Sequence, residues 1–106
     1  MKQAKSVILT GATGFVGSAM LERLEQEGYG VIAISRMPVR RCRSESVTWV
    51  DWRDYRNLDF KKMGICAVIH LAVSYGRNGE TDADMYYSNV SLPLELFLFA
   101  ASKGVK

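Results

Sequence analysis

Apolar residues in this 106-residue chain come in short continuous runs separated by segments of a different period. Ser6 to Thr10 is a run of Val, Ile and Leu, the kind of strand that is buried on both faces of a parallel sheet. From Val16 the period changes. Val16, Met20 and Leu24 recur every fourth residue with Ala19 beside them, while Ser18, Glu22, Glu25 and Gln26 take the other side. That spacing predicts a helix ended by Gly28. Tyr29 to Ser35, with Val-Ile-Ala-Ile at its centre, is a second strand, and the tight strand, helix, strand unit predicts a right-handed parallel crossover.

Polarity returns over residues 36–46, RMPVRRCRSES, which reads as a surface loop barely long enough for a helical crossover. Val47 to Asp51 predicts a third strand. A short helix or turn follows from about Asp54, placed as its cap, to Lys62, and Cys66 to Leu71 predicts a fourth, fully apolar strand with Cys66 in the core. SYGRNGET, residues 74–81, is a polar loop. Thr81 with Asp84 forms a capping pattern, so a helix should run from there to about Lys103, before Gly104. Pro93 removes one backbone hydrogen bond and predicts a kink near Asn89, unless the helix starts late enough to place it in a first turn. Leu94, Leu96, Phe97, Leu98 and Phe99 make this helix apolar nearly all round, which reads as core and as a candidate subunit face.

With 48% hydrophobic residues the chain can build one small core, so residues 1–106 read as a single domain. The net charge of +3 suits an anionic ligand but is too weak by itself to imply nucleic acid. No apolar stretch is long enough to span a bilayer, and Met-Lys-Gln-Ala-Lys leads into a strand rather than a signal-peptide core. The chain therefore reads as soluble and cytoplasmic, with no membrane partner. Cys42 and Cys66 show neither metal-ligand spacing nor CxxC, so both read as free thiols and no metal site is predicted.

Strands alternating with helices indicate a doubly wound, Rossmann-like parallel α/β sheet, in which ligands bind at the carboxyl ends of the strands. Gly11, Gly14 and Gly17 fall at such an end, between the first strand and the first helix. Glycines there permit a tight turn, a close approach of backbone to a ligand and close helix packing, and the helix start offers free N–H groups to a diphosphate. The alternative is a tight turn with no ligand.

Thr10 to Gly17, TGATGFVG, resembles the TGxxGxxG fingerprint of the extended short-chain dehydrogenase/reductases, the sugar-nucleotide branch of that superfamily. Val50-Asp51-Trp52-Arg53-Asp54 resembles the branch's D-[LI]-x-D, and Val68-Ile69-His70-Leu71-Ala72 resembles its VIHLAA. Tyr87-Ser88-Asn89-Val90 and the closing Ala100-Ala101-Ser102-Lys103-Gly104-Val105-Lys106 are similar to a further segment of it, so the resemblance covers essentially the whole chain. It implies a sheet of order 3-2-1-4 with later strands missing. It also implies a cofactor turn of Gly11, Thr13, Gly14, Phe15, Val16 and Gly17, adenine held at Asp51 and Trp52, and ribose and nicotinamide lined by Leu71, Ala72 and Val73. Asn89 would support the active centre, with a plain helix-surface asparagine as the alternative, and the last helix would enter a homodimeric bundle.

Departures from the pattern are equally informative. Leu92 and Pro93 stand where the family has glycine and threonine, and Val73 replaces an alanine. The family's catalytic Tyr-x-x-x-Lys is absent: four residues beyond Tyr29, Tyr55, Tyr75, Tyr86 and Tyr87 come Ala33, Asp59, Gly79, Val90 and Ser91. No catalytic residue is therefore assigned, and the chain reads as the amino-terminal fragment of a longer enzyme, or as one that pairs its free sheet edge with another subunit.

At the end of the second strand stand Ser35 and Arg36, with no acid to hold a ribose 2′-hydroxyl. Arg36 can clasp a 2′-phosphate and stack on adenine, which favours NADP over NAD. Arg40, Arg41 and Arg43 read either as part of that site or as a solvated loop. They lack the interleaved aromatics of a nucleic-acid surface. Asp51 reads as an adenine contact rather than a surface acid, and His70 as a satisfied core histidine. The sequence reading is thus the NADP-binding portion of a nucleotide-sugar epimerase, dehydratase or reductase. The alternatives are an NADP-sensing regulator of the same fold and a stand-alone interaction domain with a vestigial nucleotide site.

Overall fold

The four apolar runs become four parallel strands, β1 (Ser6–Thr10), β2 (Gly30–Ser35), β3 (Val47–Asp51) and β4 (Ile65–His70), in the order β3-β2-β1-β4. The structure, a computed structural model, describes residues 5–35, 46–72, 79 and 81–105. Helix α1 (Phe15–Gln26) joins β1 to β2, and a 3-10 turn (Tyr55–Asn57) and the one-turn helix α2 (Phe60–Met63) join β3 to β4. After β4 come α3 (Asp82–Tyr86), a π-helical turn (Tyr87–Ser91) and α4 (Leu92–Ser102).

Alternation along the strands divides the core between two faces. Val7 and Leu9 of β1, with Val31 and Ala33 of β2, pack under α1 around Leu24. Ile8, Ile32 and Ile34 point the other way, where Tyr55, Phe60 of α2, and Leu96 and Ala100 of α4 close over them. Helices thus cover both faces of a parallel sheet, as the sequence pattern predicts.

Local signals act where they are expected. Gly28 follows α1 with φ +85°, a left-handed position that a side chain resists. Thr81 and Asp84 exchange both bonds of a capping box, each 3.1 Å long.

Three expectations are corrected. Asp54 precedes the 3-10 turn without a side-chain cap, and it is Asp59 that accepts the Lys62 N–H at 3.0 Å and starts α2. Cys66 is exposed rather than core. The register steps from Ser6↔Ile65 to Val7↔Ala67, so Cys66 is passed over and has no partner on β1.

The third correction concerns α1. Its buried side runs through Gly17 and Leu24, with Met20 and Leu21 half-buried, while Val16 is 62% exposed and Ala19 is exposed too. Close packing at Gly17 sets the rotation of the helix and turns Val16 outward. Pro93 itself falls in the first turn of α4, the alternative that the sequence left open. Backbone angles stay right-handed from Tyr86 through Leu92, and the i→i+5 turn spans Asn89, the residue whose carbonyl would meet the missing Pro93 N–H in an α-helix.

Candidate functional site

Parallel register brings the carboxyl ends of the strands to one edge. Thr10 lies opposite both Ile34 and His70, and Ser35 lies opposite Asp51. The turn after β1, Trp52 after β3, and Leu71 and Ala72 after β4 therefore leave the sheet together. Arg36 and Val73, the next residues at this edge, lie outside the described residues, as do Arg40, Arg41, Arg43 and Cys42.

The three glycines of the turn have different reasons to be glycine. Gly11 has φ +76°, and a Cβ there would lie 2.7 Å from both the Ala72 nitrogen and the Leu71 carbonyl carbon. A Cβ on Gly17 would land on the Gly11 carbonyl oxygen. Both positions are closed by the chain's own backbone. Gly14 differs, because its φ of −78° and ψ of 176° suit any residue and its Cβ would meet only the Gly11 oxygen, at 3.4 Å. Among the described residues nothing requires a glycine at 14, and none of them covers it.

That open space faces the start of α1. Gly14 occupies the N-cap with no side-chain acceptor, and the first turn contains no acid, so among the described residues no side chain of α1 offsets the positive end of this 12-residue helix. Thr13 is exposed, and Phe15 is 95% exposed beside Val16. A bound molecule with an anionic centre and apolar flanks would meet these side chains.

The far end of the same edge is set by Asp51. Its Oδ1 accepts from the Arg53 backbone N–H at 2.9 Å and from Arg53 Nε at 3.0 Å. This partner holds the Asp51 carboxyl below the usual carboxylate range and raises the Arg53 guanidinium in turn. Trp52 is half-buried, its ring edge-on to Tyr55 at 6.3 Å. Below them a cleft of about 450 Å³ runs between Asp51–Arg56 and α4, where Arg56 reaches Glu95 at 3.5 Å. Burial pushes the Tyr55 phenol up from its ordinary value.

Between the two ends sits Thr10, fully buried at the end of β1. Its Oγ1 accepts from the N–H groups of Leu71 at 3.0 Å and Ala72 at 3.2 Å, and lies 2.6 Å from His70 Nδ1. This hydroxyl ties the first and last strands together just where Gly11 rests on the Leu71–Ala72 backbone.

The sequence model of the NAD dependent epimerase/dehydratase family matches residues 7–106. The chain belongs to this family. A CDP-abequose synthase of Salmonella muenchen is 36% identical to it over 94 residues, which are 87% of this chain and 32% of that protein. A decarboxylating sterol-4-alpha-carboxylate 3-dehydrogenase of Dictyostelium discoideum is 31% identical over 97 residues, 88% of this chain and 30% of that protein. Among solved structures, the UDP-glucose 4-epimerase of Thermus thermophilus in complex with NAD superposes with a TM-score of 0.74 at 26% identity, covering 95% of this chain and 35% of that one. The chain thus spans about a third of the length of these relatives.

In this epimerase/dehydratase chain the predicted turn residues, Asp51, Trp52, Leu71 and Ala72 do gather along one edge. Asn89 is half-buried in the π-helical turn. Sequence reasoning missed Thr10 as a site residue. Its signal was present as the hydroxyl that closes the aliphatic run Val7–Leu9, and the structure sets it opposite the one histidine of the chain. No group of three or more His, Cys, Asp or Glu that could hold a metal occurs among the described residues, and none of the described helices is long and apolar enough to cross a membrane.

Proposed function

We propose that the chain holds a nicotinamide dinucleotide for a nucleotide-sugar epimerase, dehydratase or reductase. Its diphosphate would lie over Gly14 and the start of α1. Adenosine would extend toward Asp51 and Trp52, and the ribose and nicotinamide side would run along Leu71, Ala72 and Val73. The observation that carries this reading is Gly14, the turn glycine whose missing side chain makes room for no close contact among the described residues. A diphosphate needs that kind of opening, with backbone N–H groups at its base.

The dinucleotide would supply hydride transfer when bound, and the residues of this chain orient it and exclude water from one side. A nucleotide-sugar substrate is supported by the names of the CDP-abequose synthase and the UDP-glucose 4-epimerase. The sterol dehydrogenase matches an equal share of the chain, 88% against 87%, so the substrate would be selected by parts that this chain does not span. The outer face of α4 is proposed as a homodimer contact.

Between cofactors, the sequence Ser35-Arg36 favours NADP, while the relative crystallised with NAD supports the broader class. Calorimetric titration of NADPH and NADH decides it. The unmutated chain is expected to bind NADPH more tightly, and Arg36→Ala should lose that preference by about tenfold. Tighter NADH binding removes the NADP assignment, and binding of neither removes the functional reading. The rival reading is an NADP sensor of the same fold, whose mark would be the lack of Tyr-x-x-x-Lys in the full-length protein. Turnover of a nucleotide sugar by the full-length protein would dismiss it.

A further inference from the structure

Pro93 lies in the first turn of α4, yet right-handed backbone continues before it, back to Tyr86. An α-helix bonds the N–H of each residue to the carbonyl four residues back, so side chains four apart share a face. Pro93 has no N–H, and in an unbroken α-helix its ring would clash with the Asn89 carbonyl. The backbone widens instead. Leu92 N–H bonds the Tyr87 carbonyl, five residues back, in the π-helical turn Tyr87–Ser91.

That extra residue changes what the helix presents to the cleft beside Asp51 and Trp52. Leu92 and Glu95 line this cleft, and they share a face of α4. Without the wider turn, the residue one turn before Leu92 would be Ser88. The five-residue bond puts Tyr87 there, and Tyr87, not Ser88, lines the cleft with Leu92 and Glu95. A hydroxymethyl group is replaced by an aromatic ring, on a residue that is 54% exposed.

The cleft, about 450 Å³, has room for a purine base. Trp52 supplies aromatic surface from the segment after β3, and Tyr87 supplies it from the helical side. Asp51 gives the cleft a polar edge. Its Oδ1 is filled by the backbone N–H and Nε of Arg53, at 2.9 and 3.0 Å. Oδ2 meets only Arg53 Nη2, at 3.4 Å, among the described residues, and so has room for a donor such as the 6-amino group of adenine.

We propose that Tyr87 packs against the adenine base of the bound dinucleotide, and that Pro93 is the positioning residue that brings it there by imposing the π-helical turn. This rests on the dinucleotide reading above and adds to it a base contact from the helical side of the cleft. The ring provides a flat platform for the purine, and its hydroxyl is not required.

The contact is tested by nuclear magnetic resonance on the chain saturated with NADP⁺ or NAD⁺, whichever binds more tightly. Intermolecular NOEs should join adenine H2 or H8 to the Tyr87 ring, and their absence overturns the proposal. In calorimetry Tyr87→Ala should weaken that dinucleotide by about tenfold, whereas Tyr87→Phe should bind as the unmutated chain does. Equal affinity of Tyr87→Ala and the unmutated chain is contrary evidence. Pro93→Ala restores the N–H that an α-helix needs, so the NOEs should vanish and affinity should fall as far as in Tyr87→Ala. The double variant should then bind no more weakly than either single one. Losses that multiply in the double variant, or NOEs and affinity retained by Pro93→Ala, remove the role of Pro93. Binding without the Tyr87 contact defeats this proposal alone, and binding of neither dinucleotide defeats the functional reading with it.

Discussion

In β1, Ile8 and Leu9 have no exposed surface, whereas Ala67 to His70 of β4 are all only half-buried, although both strands are runs of aliphatic residues. β1 has a strand on either side and helices on both faces. β4 pairs only with β1 among the described residues, and α4 with the π-helical turn before it turns Val90, Leu94, Phe97 and Leu98 toward solvent. Similar hydrophobicity thus ends in full enclosure in one unit and in an uncovered apolar face in the other. Position in the sheet order, rather than composition, decides which strand is enclosed.

The sharpest break of that contrast is Gly17→Ala. Its Cβ would fall on a backbone oxygen in the enclosed unit, so a loss of about 3 kcal/mol is expected in urea unfolding, at the upper end of overpacking effects. An unchanged unfolding midpoint would show that the β1–α1 unit is less tightly closed than its geometry requires.

Gly14→Ala, only three residues away, should cost about 1 kcal/mol or less, the penalty for alanine at an N-cap. Its effect should appear instead in dinucleotide affinity, lowered by about tenfold or more in calorimetry. Equal losses of stability and affinity would erase the difference between a packed glycine and an open one.

The smallest effect on stability is expected on the uncovered side. Leu94→Glu with Leu98→Glu should change the unfolding free energy of a monomer by only about 0.5 kcal/mol, as for other exposed positions. If a second copy covers this face, the same pair should convert dimer to monomer in sedimentation. A monomer already present before mutation defeats the homodimer proposal.

How far the sequence could be read depended on the range of the interaction involved. Strand positions, the Gly28 stop and the Thr81–Asp84 box were legible because each is decided within a few residues. The buried side of α1 was not, since a period of four admits both Val16 and Gly17 and the contact with Gly11 chooses between them. Cys66 looked like core because a register step cannot be seen in a hydrophobic run. Asp59 rather than Asp54 caps a helix because the intervening residues form a 3-10 turn first. Pro93 announced an irregularity, and the backbone absorbed it as a wider turn without a break.

What the sequence by itself determined is the parallel α/β order of elements and a glycine turn at a strand end, because side-chain period and backbone sterics operate locally. Only the tertiary structure decided what each glycine is for. Gly11 is held by Leu71 and Ala72, which the Thr10 hydroxyl grips from 61 and 62 residues away, and Gly17 is held by the turn folded back on itself. Gly14 is touched by neither, and that distinction exists only once β4 lies beside β1.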